Sequence, residues 1–174
     1  GYRIASITKI FTAVSVLQLL ERGKLRLDDK AAVYVDWLEE GGCDFTIGEL
    51  LSHQAGLERD PNEPFWITDE SPTLEGLKKK IKKGACAFEP LERFKYSNVG
   101  FALLGLVIKE VSGQTYSEYV TKNIIKPLGL ENTYVGLTEK SKKNLAQGYG
   151  RDIKEGEPRE AFEPTEVGMI MPAS

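Results

Sequence analysis

The sequence predicts a mostly helical chain with little strand. Three observations carry this: two long apolar runs with helical spacing, two capping boxes ahead of short helices, and a last third with weak periodicity. The 174 residues, 41% hydrophobic and 28% charged, suffice for one globular domain with a real core. No linker or repeat divides residues 1–174.

The first helix is read over residues 6–22. Ile7, Ile10, Phe11, Val14 and Leu17 recur at helical spacing, while Val16 and Leu19 extend the apolar surface to the other side. Such a helix is expected to be buried nearly all round. Gly23 stops it, and residues 25–35 read as an extended turn. Thr46 and Glu49 have capping-box spacing and start a short helix that Gly56 is expected to end. The polar stretch 58–73 reads as a surface loop. Residues 74–83 form a helix whose lysines make a solvated face. A second buried helix spans about 98–112 and stops at Gly113. Thr115 and Glu118 open another helix, which Pro127 closes. The last third reads as short strands and loops.

The charge pattern narrows the functions. A net charge of -3 with mixed signs gives no basic footprint for nucleic acid. No apolar stretch is long enough to span a membrane, since Thr12, Ser15 and Gln18 interrupt the longest. The chain begins at Gly1 with no recognisable leader, so its compartment stays unread. Cys43 and Cys86 are read as two separate thiols in preference to a bridge. One histidine, His53, leaves too few ligands for a zinc centre, so no metal is expected.

Two polar clusters interrupt the apolar helices, and they carry the chemistry. Ser6 and Lys9 are three residues apart, hence on one helical face with hydroxyl and amine in mutual reach. Lys9 is the one charged side chain between Arg3 and Glu21. Burial disfavours an ammonium, so a lysine there can act as a base. The helix N-terminus favours a developing oxyanion. Serine alone is a poor nucleophile, and a desolvated lysine is one remedy. The S-x-x-K spacing by itself is weak, because about one copy is expected by chance in this composition. Tyr96-Ser97-Asn98 opens the second apolar helix, where Ser-Asn is also an ordinary cap.

The segments around these clusters supply the context. RIASITKIFTA, KLRLDDKAAVYV, FTIGELLSHQAGL, PLERFKYSNVGFALLGLVIKEVSG and IIKPLGLENT follow one another in this order. Together they resemble the serine β-lactamase-like and penicillin-binding protein superfamily, in its class C β-lactamase, D-peptidase and esterase branch. S-x-x-K is a signature of these enzymes, accompanied by a second and a third element. The second element in this branch has the form Tyr-x-Asn, matched by Tyr96-Ser97-Asn98.

The resemblance implies an α+β fold of the β-lactamase/DD-peptidase type, of which this chain is mostly the helical part. It implies Ser6 as the acylated nucleophile, Lys9 as the group that holds or accepts its proton, and Tyr96 as base or proton shuttle. Asn98 would hydrogen-bond an amide of the substrate, and the Ser6 backbone N–H would supply half an oxyanion hole. His53 matches a structural histidine and is not expected to be the base. Two departures stand out. The third element, Lys/His-Thr/Ser-Gly, occurs nowhere in the chain, and Leu91 stands where the branch often has glycine. The domain is therefore expected to be incomplete, lacking early strands and the sheet with the third element.

The function expected is a serine hydrolase that forms an acyl-enzyme on amide, ester or lactam carbonyls, peptidase or esterase ranking above β-lactamase. No cofactor is expected, the partner being a small-molecule or peptide substrate. The alternative is a non-catalytic relative that binds, senses or scaffolds. The missing third element favours that alternative.

Overall fold

The first α-helix begins two residues after Ser6, inside the motif. The computed structural model describes residues 1–42, 44–60, 73–84, 86–149, 161–162 and 168–173. Ala5–Ile7 makes a 3₁₀ turn with Ala5 at φ +45°, and helix α1 then runs Thr8–Glu21. Gly23 follows at φ +63°. Two further 3₁₀ turns, Ala31–Val33 and Asp36–Gly41, lead to α2, Ile47–Leu51.

The capping boxes form as the sequence predicts. Thr46 N–H donates to Glu49 at 2.7 Å, and Glu49 N–H donates to Thr46 Oγ1 at 3.2 Å. The same reciprocal pair, Thr115 with Glu118, starts α5 at Tyr116–Val120. Each box satisfies two N–H groups that a helix start leaves without partners. Helix α5 continues as one π-helical turn, Thr121–Ile125, two residues ahead of Pro127. Helix α3, Leu74–Lys82, buries Leu77 and Ile81, and its lysines pair outward with Glu75, Glu58 and Glu40.

Helix α4, Asn98–Ser112, is the axis of the core. Every residue from Asn98 to Ile108 is buried, and Gly113 ends the helix in the left-handed conformation. Leu103, Leu104, Val107 and Ile108 are wholly inaccessible. Each such side chain contributes roughly 1.5–3 kcal/mol of transfer free energy. Around α4 pack α1, α2, α5 and a terminal 3₁₀ segment, Gly168–Ala173. Gly105 permits this last contact, since a Cβ there would meet Pro172 Cγ at 2.2 Å. Helix α6, Glu139–Lys143, precedes the one sheet among the described residues. In it β1, Gly148–Tyr149, pairs antiparallel with β2, Ala161–Phe162.

Three expectations change. Helix α1 is not buried all round: α4 and the terminal segment take one side, holding Thr12, Ser15, Val16 and Leu19. Ile7, Ile10, Val14 and Leu17, at spacings of three and four, form an exposed stripe on the other. Gly56 does not end α2, which stops at Leu51. It instead sits at φ +71° where a Cβ would lie 1.9 Å from the Phe88 carbonyl oxygen, a close approach open to glycine alone. Finally, Cys86 is disulfide-bonded, not a separate thiol. The antiparallel bridge of Cys86 with Leu57 draws it to the core edge, a proximity that spacing along the chain does not encode. Cys43 and most of the loop read over 58–73 lie outside the described residues.

Candidate active site

Four segments distant in sequence meet at the start of α1. Ser6 sits in the 3₁₀ turn and Lys9 in the first turn of α1. Tyr96 arrives on an arm laced to the segment after α2. Ala87 and Phe88 N–H donate to Gly56 O, Leu91 N–H to Gln54 O, and Lys95 N–H to His53 O at 2.8 Å. The arm ends at Ser97, whose Oγ caps α4 by accepting from Gly100 N–H at 3.0 Å. The Ser-Asn pair thus serves as a helix cap and also delivers its neighbours to the cluster.

The geometry is compact. Tyr96 Oη lies 2.7 Å from Ser6 Oγ, and Lys9 Nζ lies 3.4 Å from the same oxygen. Lys9 Nζ also donates to Asn98 Oδ1 at 2.7 Å and to Ala173 O at 2.5 Å. Neither of those acceptors carries a proton to give, so each takes an N–H of Lys9. The third position of the nitrogen is left to the Ser6 and Tyr96 hydroxyls. An ammonium donates there, and a neutral amine accepts the hydroxyl proton. Either way Ser6 Oγ sits between two groups able to hold its proton.

The electrostatics match this arrangement. Burial pushes Lys9 below its ordinary value, Tyr96 and the Asp60 carboxylate oppose that, and the Arg59 charge adds to it. Burial alone raises the Tyr96 phenol. Hydrogen bonds with Lys9 and Ser6 outweigh it, with the charges of Lys9 and Arg59, and hold Tyr96 below its ordinary value. Lys9 Nζ stands 4.6 Å and the Arg59 guanidinium 5.5 Å from the Tyr96 ring centroid. Each group thus bears on the proton affinity of the other.

Asn98 is buried, and its amide is engaged at both ends. Oδ1 accepts from Lys9, and Nδ2 donates to Asp60 Oδ1 at 2.7 Å. His53, at φ +58°, accepts the Ser97 N–H on Nδ1 at 3.1 Å, and its ring lies 4.6 Å from that of Tyr96. Burial, then the Lys9 charge, lowers its pKa. A neutral ring accepting a backbone N–H positions Tyr96 from behind, as expected of a structural histidine.

All four predicted residues, Ser6, Lys9, Tyr96 and Asn98, come together. Three contributors carry no sequence signal: Arg59 and Asp60 lie in a stretch that reads as loop, and nothing in the segment 168–173 foretells that Ala173 O accepts from Lys9. Among the described residues no group of three His, Cys, Asp or Glu side chains is arranged to hold a metal ion. No described helix is long and apolar enough to cross a membrane.

Comparison with known proteins gives a consistent result. A family model described as Beta-lactamase matches residues 1–173. Protein flp of Staphylococcus aureus (strain N315) is 32% identical over 152 residues, covering 85% of this chain and 30% of that protein. The octameric penicillin-binding protein homologue from Pyrococcus abyssi superposes with a TM-score of 0.78 at 33% identity, covering 92% of this chain and 38% of that one. A β-lactamase/D-alanine carboxypeptidase from Yersinia pestis superposes at 0.74 with 25% identity, covering 99% and 48%. The chain therefore spans 30–48% of the length of these proteins. Their fold is the β-lactamase/DD-peptidase fold expected from the sequence.

Proposed function

The chain belongs to the Beta-lactamase family, and from that premise we propose that it carries the nucleophile half of a serine hydrolase acting through an acyl-enzyme. The observation that supports this most is the approach of Tyr96 Oη to within 2.7 Å of Ser6 Oγ, with Lys9 Nζ at 3.4 Å. Ser6 Oγ attacks the substrate carbonyl as its proton passes to the Tyr96–Lys9 pair. The tetrahedral oxyanion forms beside the helix start, with the Ser6 backbone N–H as one donor. Tyr96 then returns the proton to the leaving group, and water attacks the acyl-serine by the same route in reverse. The second N–H of the Asn98 amide binds a substrate carbonyl.

The substrate is a peptide amide or ester in preference to a β-lactam. The D-alanine carboxypeptidase activity in the Yersinia relative's name supports a peptide-like acyl donor. A further stretch of protein bearing the Lys/His-Thr/Ser-Gly element completes the pocket and its second oxyanion donor. The second reading is a non-catalytic binding, sensing or scaffold protein, in which no such element completes the site.

Intact mass after exposure of the full-length protein to a fluorophosphonate separates the two. The expected result is one adduct, lost in Ser6→Ala. No adduct, or one that persists in Ser6→Ala, favours the binding role.

A further inference from the structure

Beside the nucleophile runs a second line of contacts that the reaction above does not use. Asp60 Oδ1 accepts from Asn98 Nδ2 at 2.7 Å, and Asn98 Oδ1 accepts from Lys9 Nζ at 2.7 Å. Asp60 itself is held from two sides. Its other oxygen pairs with Arg59 Nε at 3.5 Å, and the backbone fixes its neighbour, since Asn98 N–H donates to Arg59 O at 2.7 Å. The Asp60 side chain is only 12% exposed, so water competes little for these bonds.

An amide is nearly symmetric in shape, and a half-turn about its last bond exchanges oxygen for NH₂. Asn98 turned that way would face its NH₂ toward the Lys9 ammonium, donor against donor, and leave it one acceptor fewer. An ionised carboxylate accepts and never donates, so it tolerates one orientation of its partner only. We propose that Asp60 is a positioning residue: it locks the Asn98 amide so that the oxygen faces Lys9, and thereby fixes the nitrogen that hands protons to and from Ser6.

This rests on the hydrolase reading for its effect on rate, but not for its effect on Lys9. Around Lys9 the charged and titratable groups are Tyr96, Asp60 and Arg59, with His53 responding to the Lys9 charge. Asp60 is the one carboxylate among them. Losing its charge and releasing the amide both disfavour the ammonium, so the two effects act in the same direction.

The test uses full-length protein with ¹³C-labelled lysine, the Lys9 signal being assigned by its loss in Lys9→Ala. In Asp60→Asn, which keeps shape and hydrogen bonding but not the acceptor-only character, the Lys9 titration midpoint should fall. Turnover of a 4-nitrophenyl ester should drop roughly 10–100-fold in kcat with KM changed by less than about two-fold. Asp60→Glu should recover most of the loss. An unchanged Lys9 midpoint and kcat in Asp60→Asn overturns the proposal, as does a Glu variant that folds and recovers nothing. Should the wild-type protein fail to hydrolyse any ester, the hydrolase reading falls, and the Lys9 midpoint alone decides the role of Asp60. In the wild-type protein an Asn98 Nδ2 proton should resonate downfield, and Asp60→Asn should shift it upfield; no such response also overturns it.

Discussion

Tyr96 and Ser6, ninety positions apart, share a 2.7 Å hydrogen bond between two hydroxyl oxygens. That distance is ordinary for an O–H···O bond, and loops reach it without the two groups sharing a helix. It is held by the arm from Ala87 to Ser97, pinned by hydrogen bonds to the His53, Gln54 and Gly56 carbonyls. The phenol is thus fixed before any substrate arrives, and preorganisation of this kind is where positioned acid–base groups gain their rate.

Tyr96→Phe removes the phenolic oxygen and little else. The ring keeps its stacking with His53, so the fold should persist with an unchanged melting curve. Turnover should fall by roughly 10²–10⁴, read as kcat on an ester substrate. A variant with wild-type kcat would take Tyr96 out of the mechanism.

The pH profile follows from the direction of two shifts. Tyr96 and Lys9 both lie below their ordinary values of 10.0 and 10.5. The base form of the pair is lost as pH falls through the folded values, so the acid limb of kcat/KM should lie below the ordinary phenol range. Arg59 lowers both groups by its charge. Arg59→Gln should therefore move that limb to higher pH. A limb that stays fixed, or moves to lower pH, would mean that Arg59 does not act on the pair.

Much of this was legible in the sequence because the signals were local. Ser6 and Lys9 declare themselves by helical spacing within an apolar run, and Thr46 and Thr115 by a carboxylate three residues on. Asp60 and Ala173 do not: their contacts with Asn98 and Lys9 span 38 and 164 positions, with no periodicity to betray them. Helix α1 misled in a different way. Apolar residues on both faces read as burial on both faces, but Ile7, Ile10, Val14 and Leu17 face outward. Periodicity reports which positions are apolar, not whether anything covers them. The cysteines show the same limit, since a bridge depends on where the chain returns.

Leu91 offers a test of local strain. It stands at φ +66° and is 62% exposed, so the left-handed backbone is not offset by burial. A non-glycine residue there costs roughly 1–2 kcal/mol, and glycine gives part of that back through the freedom of its unfolded chain. Leu91→Gly should stabilise the protein by about 0.5–1 kcal/mol, measured by urea denaturation with an unchanged m-value. A loss of stability would show that the leucine side chain contributes packing that outweighs its backbone strain.

Gly105 links packing to the site. In a helix interior alanine is favoured over glycine by about 1 kcal/mol, so Gly105→Ala would stabilise α4 were nothing near it. A Cβ at this position, however, meets Pro172 Cγ at 2.2 Å, and the proline ring cannot swing aside. The segment Gly168–Ala173 must move, taking with it Pro172 O, which accepts from Thr12, and Ala173 O, which accepts from Lys9. Net destabilisation of about 1–3 kcal/mol should result, together with a slower acylation of Ser6 as Lys9 loses an acceptor. Gly100→Ala is the matched control on the same helix, its nearest neighbour being Leu50 Cδ2 at an ordinary 3.5 Å; it should be neutral or stabilising. Equal stability and equal acylation rates in the two variants would detach the terminal segment from both the core and the nucleophile.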